Sequence, residues 1–114
     1  MKVNEFLGLI NGKLLTSLGG DNEITCAHTC DLLSWVMAKG REGCAWVTVQ
    51  THLNVIAVAS LHDMACVVLP ENIQMDKAVL DKADEEGIAV IVSPLSAYSI
   101  CGVLHDNKIA DAEE

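Results

Sequence analysis

The side chains able to do chemistry are the histidines His28, His52, His62 and His105 and the cysteines Cys26, Cys30, Cys44, Cys66 and Cys101. The run Cys26-Ala27-His28-Thr29-Cys30 resembles a metal motif. Read as a strand, however, it separates Cys26 from Cys30 by about 13 Å at a rise of about 3.3 Å per residue. Zinc–sulfur bonds of about 2.3 Å cannot bridge that distance, and no second CxxC or HxxxH pair completes four ligands, so no metal is expected. A cysteine nucleophile needs a base within hydrogen-bond reach and a third group to orient it. No spacing in the chain encodes that arrangement, and buried cysteine is the commoner state, so no catalytic residue is assigned. The glycine-containing run Gly8-Leu9-Ile10-Asn11-Gly12-Lys13-Leu14 is one residue short of a phosphate loop, lacks Ser or Thr after the lysine and follows a helical pattern, which excludes a nucleotide kinase site.

Gln50, Thr51, His52 and Asn54 have a stronger claim. They follow Ala45-Trp46-Val47-Thr48-Val49, an apolar, β-branched run that breaks into polar residues where a helical pattern starts. A buried strand feeding a helix delivers those four side chains to the carboxyl end of a sheet. Strand ends and helix amino termini there present free N–H groups to a ligand, an anionic one above all. Loops after other strands should gather nearby. Leu69-Pro70-Glu71-Asn72 and Ser93-Pro94-Leu95-Ser96 are the candidates, with His28 to Asp31 contributing from the preceding strand. The ligand-binding set is therefore Gln50, Thr51, His52, Asn54, His28 and Ser93. The structural alternative is that Thr51 caps the helix and His52 is a first-turn surface residue. Tyr98 belongs either to the same rim or to the core.

The elements that must position these residues alternate along the chain. Helical patterns cover residues 3–10, ending at Asn11-Gly12, then 31–39 with Asp31 as cap, 52–63, 76–86 before Gly87, and 95–104 after a Ser93-Pro94 start. Strands are expected over residues 14–16, 23–29, 44–50, 65–69 and 88–92. Runs such as Cys66-Val67-Val68-Leu69 are apolar without alternation, as in parallel sheets covered on both faces. The fold class that follows is α/β, a three-layer sandwich with a mostly parallel sheet of four to five strands. The helix following His52 is apolar on almost every side, so it needs a second partner besides the sheet, either another helix or a second subunit. From about residue 106 the chain reads as an acidic, frayed tail.

At 114 residues and 51% apolar content the chain is a single domain with a core large enough to need no disulfide staples. Seven basic against sixteen acidic side chains give a net charge of −9, which repels nucleic acid and anionic membrane surfaces. No stretch approaches the roughly 18 apolar residues of a membrane span, Glu5 interrupts any leader-like run, and the unpaired cysteine count fits a reducing compartment, so the expected location is cytoplasmic.

From about Leu14 to Leu104 the chain resembles the DRTGG domain family. The strings that carry the resemblance are Gly43-Cys44-Ala45-Trp46-Val47-Thr48-Val49-Gln50 before an apolar helix, Cys66-Val67-Val68-Leu69 before a short loop, and Leu80 through Glu86-Gly87-Ile88-Ala89-Val90-Ile91 before Ser93. The resemblance implies the fold of the amino-terminal domain of HPr kinase/phosphorylase. It also implies a non-catalytic dimerisation or sensing role beside a partner enzyme or kinase, with adenine nucleotides as the ligand class and no resident cofactor. The Asp-Arg-Thr-Gly-Gly string itself is absent, and Gln50-Thr51-His52-Leu53-Asn54 stands where a glycine- and charge-containing turn is expected. The competing reading is a small cysteine- and histidine-dependent enzyme, or a redox or metal-binding protein, using Cys26, Cys30 or His52.

Overall fold

The computed structural model describes residues 1–113. In chain order it contains α1 (Val3–Leu9), β1 (Lys13–Leu14), β2 (Cys26–Thr29), α2 (Leu33–Lys39), β3 (Cys44–Val47), α3 (Leu53–Leu61), β4 (Cys66–Leu69), α4 (Lys77–Glu86), β5 (Val90–Val92), α5 (Ala97–Asp106) and β6 (Ala110–Asp111). The strands form one six-stranded sheet in the order β1-β5-β4-β3-β2-β6. All neighbours are parallel except β1, which runs antiparallel to β5.

Alternation along the buried strands sorts their side chains between two cores. Cys44, Trp46, Val67 and Val90 face the layer containing Val36 of α2, Val55, Ile56, Val58 and Ala59 of α3 and Ala83 of α4. Ala45, Val47, Cys66, Val68 and Ile91 face Val3 and Phe6 of α1 and Ile100 and Leu104 of α5. All four residues of β3 are fully buried, which is why that strand is apolar without alternation. The three-layer α/β sandwich expected from the sequence is present, with six strands rather than four or five.

The added strand replaces the expected frayed tail. Lys108 adopts a left-handed φ of 62°, and the chain turns back so that β6 pairs with β2. The Ala112 N–H then donates to the Ala27 carbonyl at 2.9 Å, and the Ala112 side chain is fully buried. Ile109 packs in the α5-side core and Ala112 in the other, an alternation that Asp111 between them and Glu113 after them conceal.

The environment of α3 accounts for its uniform apolarity: α2 and α4 flank it within the same chain, and Leu53 and Leu61 remain exposed. Several helix starts differ from expectation. His52, not Thr51, caps α3, its Nδ1 accepting from the Asn54 N–H at 3.0 Å. The last helix begins at Ala97 with Ser96 as its cap, because the Ser96 hydroxyl is placed to accept from the Ser99 N–H at 3.1 Å and Ser93-Pro94 remain in the loop. Asp31 does not cap α2, whose N-cap position is Leu32, because its carboxylate is engaged elsewhere. No helix among the described residues is long and apolar enough to cross a membrane.

Candidate functional site

The carboxyl ends of the parallel strands lie on one side of the sheet, and the loop between β3 and α3 is held there by Asp31. Its Oδ1 accepts from the Thr48 hydroxyl at 2.8 Å and from the Val49 N–H at 2.9 Å. The Thr48 hydroxyl in turn accepts from the Gln50 N–H at 3.1 Å, and Gln50 Nε2 donates to the Asp31 carbonyl at 3.0 Å. Thr48 is 2% exposed and its own N–H donates to the Val68 carbonyl at 3.1 Å, so the loop is anchored on both sides. A carboxylate accepting two hydrogen bonds makes a stronger tether than neutral acceptors do.

From this anchor the chain enters α3 through His52. Because Nδ1 accepts the Asn54 N–H, the neutral ring carries its proton on Nε2, and that N–H is left to face outward on an exposed side chain. Asn54 is exposed beside it, and Thr51 is partly exposed. The start of α3 therefore presents a fixed imidazole N–H, an amide side chain and the positive end of a nine-residue helix, a set suited to an anion.

The six residues expected at the site do not all meet. Gln50, Thr51, His52 and Asn54 occupy this one junction. Ser93 is fully buried, its hydroxyl donating to the Ile10 carbonyl at 2.6 Å and accepting from the Leu95 N–H at 3.1 Å, so it fastens the β5–α5 loop to the end of α1. The β4 and β5 loops are joined to each other instead of to the β3 loop, through Glu71 N–H to the Leu95 carbonyl and Asn72 N–H to the Ser93 carbonyl, each 2.9 Å. Tyr98 stands in solvent at 88% exposure, outside the core.

His28 lies in a cleft of about 340 Å³ that none of the other five residues lines. The opening is at the β2 edge, where Trp35 from α2 and His105 from α5 approach from opposite faces of the sheet. His28 Nε2 is shielded from solvent and has no hydrogen-bond partner among the described residues. Leaving a buried polar atom unpaired costs about 1–3 kcal/mol. Trp35, Asp111 and Glu113 were not singled out as site residues by sequence reasoning, and Asp31 was placed near the site only as the end of the His28 to Asp31 stretch. The legible signal was Trp35 itself, one position off the Leu33/Val36 inward stripe; nothing in the spacing identified Asp31 as a tether.

Three of the five thiols, Cys44, Cys66 and Cys101, are the reverse of activated. Burial pushes the Cys66 thiol up to about 12. Burial, with Cys26 beside it, pushes Cys44 up as well. Burial also raises Cys101, opposed by a hydrogen bond with Thr29. These shifts hold the thiols protonated, the reverse of what a nucleophile or metal ligand requires. Among the described residues no group of three or more His, Cys, Asp and Glu side chains is placed to hold a metal ion.

No family model and no curated protein matches the chain. Among solved structures, it is similar to the crystal structure of the CBS and DRTGG domains of the regulatory region of Clostridium perfringens pyrophosphatase, complexed with the activator diadenosine tetraphosphate. The TM-score is 0.73 at 9% identity, over 98% of this chain and 48% of the other. The chain thus spans about half the length of that structure. At the level of fold, the DRTGG resemblance read from the sequence is borne out.

Proposed function

We propose that this chain is a non-catalytic regulatory module that binds a small anionic ligand, of the adenine nucleotide class, at the β3–α3 junction and acts on a partner enzyme as a homodimer. The observation that carries this reading is the preset junction: Asp31 holds the loop, and His52 is locked with its Nε2–H outward at the amino end of α3. The ligand class is supported by the regulatory region of similar fold, which is complexed with diadenosine tetraphosphate. Dimerisation is supported by Leu53 and Leu61, 46% and 66% exposed on the outward side of α3. Cys44 and Cys66, held protonated by burial, are unsuited to be nucleophiles.

A thermal-shift titration with ATP and with diadenosine tetraphosphate tests the ligand. Ligand at about 100 times its dissociation constant stabilises a protein by about 2.7 kcal/mol, which is readily measured. The shift should shrink in Asn54→Ala. Absence of any shift with either nucleotide removes the ligand reading. Light scattering on the eluting protein tests the dimer, with a monomer for the Leu61→Glu variant as the expected contrast; a wild-type monomer at micromolar concentration refutes it.

A further inference from the structure

The cleft beside β2 is independent of the nucleotide reading at the β3–α3 junction. We propose that it is a second binding site, for an uncharged planar nitrogen heterocycle bearing an amino group, such as a nucleoside. The cleft exists because β6 is short. Its register stops at Asp111 opposite Ala27, so among the described residues no strand lies outside His28 and Thr29. Along β2 the Ala27 carbonyl faces outward to the Ala112 N–H, while the Cys30 N–H faces inward to the Val47 carbonyl. Backbone groups alternate between the two edges of a strand, so the N–H and C=O of Thr29 are the next pair directed to the open side. A donor and an acceptor side by side match the edge of a nitrogen heterocycle.

The walls favour the same class. Trp35, 52% exposed, supplies an indole for stacking, and the Lys39 Nζ lies 5.5 Å from the ring centroid. Val47, Leu104 and Ile109 give the space an apolar lining. Asp111 and Glu113 from β6 lie on its rim, and Lys39 reaches Glu113 at 3.7 Å. With Glu113 paired to Lys39, the Asp111 carboxylate on a chain of net charge −9 disfavours a phosphate and accepts an exocyclic amine. His28 is partly exposed on the cleft wall, and its shielded Nε2 has no partner among the described residues, so a ligand that draws the ring round would satisfy it. A volume near 340 Å³ is at the lower end of small-molecule sites.

The test uses the intact chain, adenosine as the probe and AMP as its charged counterpart. Trp46 is fully buried and Trp35 half-exposed, so long-wavelength tryptophan emission reports on the cleft. Adenosine should quench that emission saturably. Affinity should fall about tenfold in His28→Ala, the loss of one hydrogen bond, and stay unchanged in His52→Ala. Trp35→Ala, on the surface of α2, is the second variant and should abolish adenosine-induced thermal stabilisation. Near-ultraviolet circular dichroism of Trp46 verifies that each variant is folded. AMP should bind the cleft more weakly than adenosine. No saturable quenching at millimolar adenosine, equal binding by His28→Ala and wild type, or tighter binding of AMP at the cleft overturns the proposal. Adenosine binding lost in His52→Ala and kept in His28→Ala overturns it while leaving the junction reading standing.

Discussion

Asp31→Ala should loosen the β3–α3 junction by a calculable amount. The substitution removes the acceptor for the Thr48 hydroxyl at 2.8 Å and the Val49 N–H at 2.9 Å. The Val49 N–H is exposed and regains water, so its loss is small. Thr48 is 2% exposed, and its hydroxyl proton is left without a partner, at a cost of about 1–3 kcal/mol. Gln50 Nε2 bonds the backbone carbonyl of residue 31 and survives the change. The sum is a destabilisation of about 2 kcal/mol, or about 8 °C in Tm for a domain of this size. Asp31→Asn retains a side-chain oxygen for one donor and should cost less than about 1 kcal/mol. Urea unfolding followed by Trp46 fluorescence measures all of these. Combining Asp31→Ala with Thr48→Val removes the orphaned hydroxyl, so the double variant should be more stable than the sum of the singles by about 1 kcal/mol. Strict additivity, or an Asp31→Ala variant within about 0.5 kcal/mol of wild type, would refute the tether.

Because His52 and not Thr51 caps α3, His52→Ala should cost about 0.5–1 kcal/mol in urea unfolding and Thr51→Ala close to nothing; the reverse order would return the cap to Thr51. Ser96→Ala should lower stability by about 1 kcal/mol through the cap of α5, measured the same way. The buried Cys66 has a folded-state value raised from 9.0 to about 12, so the unfolded chain ionises first as pH rises. Stability should therefore fall from about pH 9 upward and level off at about pH 12, with a shallower slope in Cys66→Ala. Under native conditions a thiol reagent should leave Cys44 and Cys66 unmodified until denaturant is added; rapid labelling of either in the folded protein would contradict their burial.

The central sheet was legible because β3, β4 and β5 are buried on both faces and their sequences are short, β-branched apolar runs bounded by turn residues. The two helical layers follow once such strands alternate with helices, whereas the sheet order was not read from the sequence. The junction containing Gln50, Thr51, His52 and Asn54 was legible for the same reason, since apolar patterning stops there. His28 and Ser93 were placed with it by strand order, yet strand order says nothing about which way a side chain points. Ser93 turns inward to the Ile10 carbonyl, and His28 faces a cleft at the sheet edge. Two pieces were hidden by weak local signals. β6 is two residues long, and Asp111 and Glu113 mask the Ile109/Ala112 alternation. The Asp31 tether depends on a contact between consecutive strand ends that no local pattern encodes.

The returning strand β6 also sets an order of events during synthesis. β2 is made early, but its outer partner arrives only when Ala110–Ala112 have left the ribosome. Until then α1 through α5 can assemble around the sheet while β2 keeps an open edge, the kind of surface that pairs with other chains. This pairing spans more of the sequence than any other in the sheet, so it closes the longest loop and completes the sheet last. The step that protects the edge is the same step that brings Asp111 and Glu113 to the rim beside His28. An unfinished chain thus lacks the cleft for as long as it remains exposed to its neighbours.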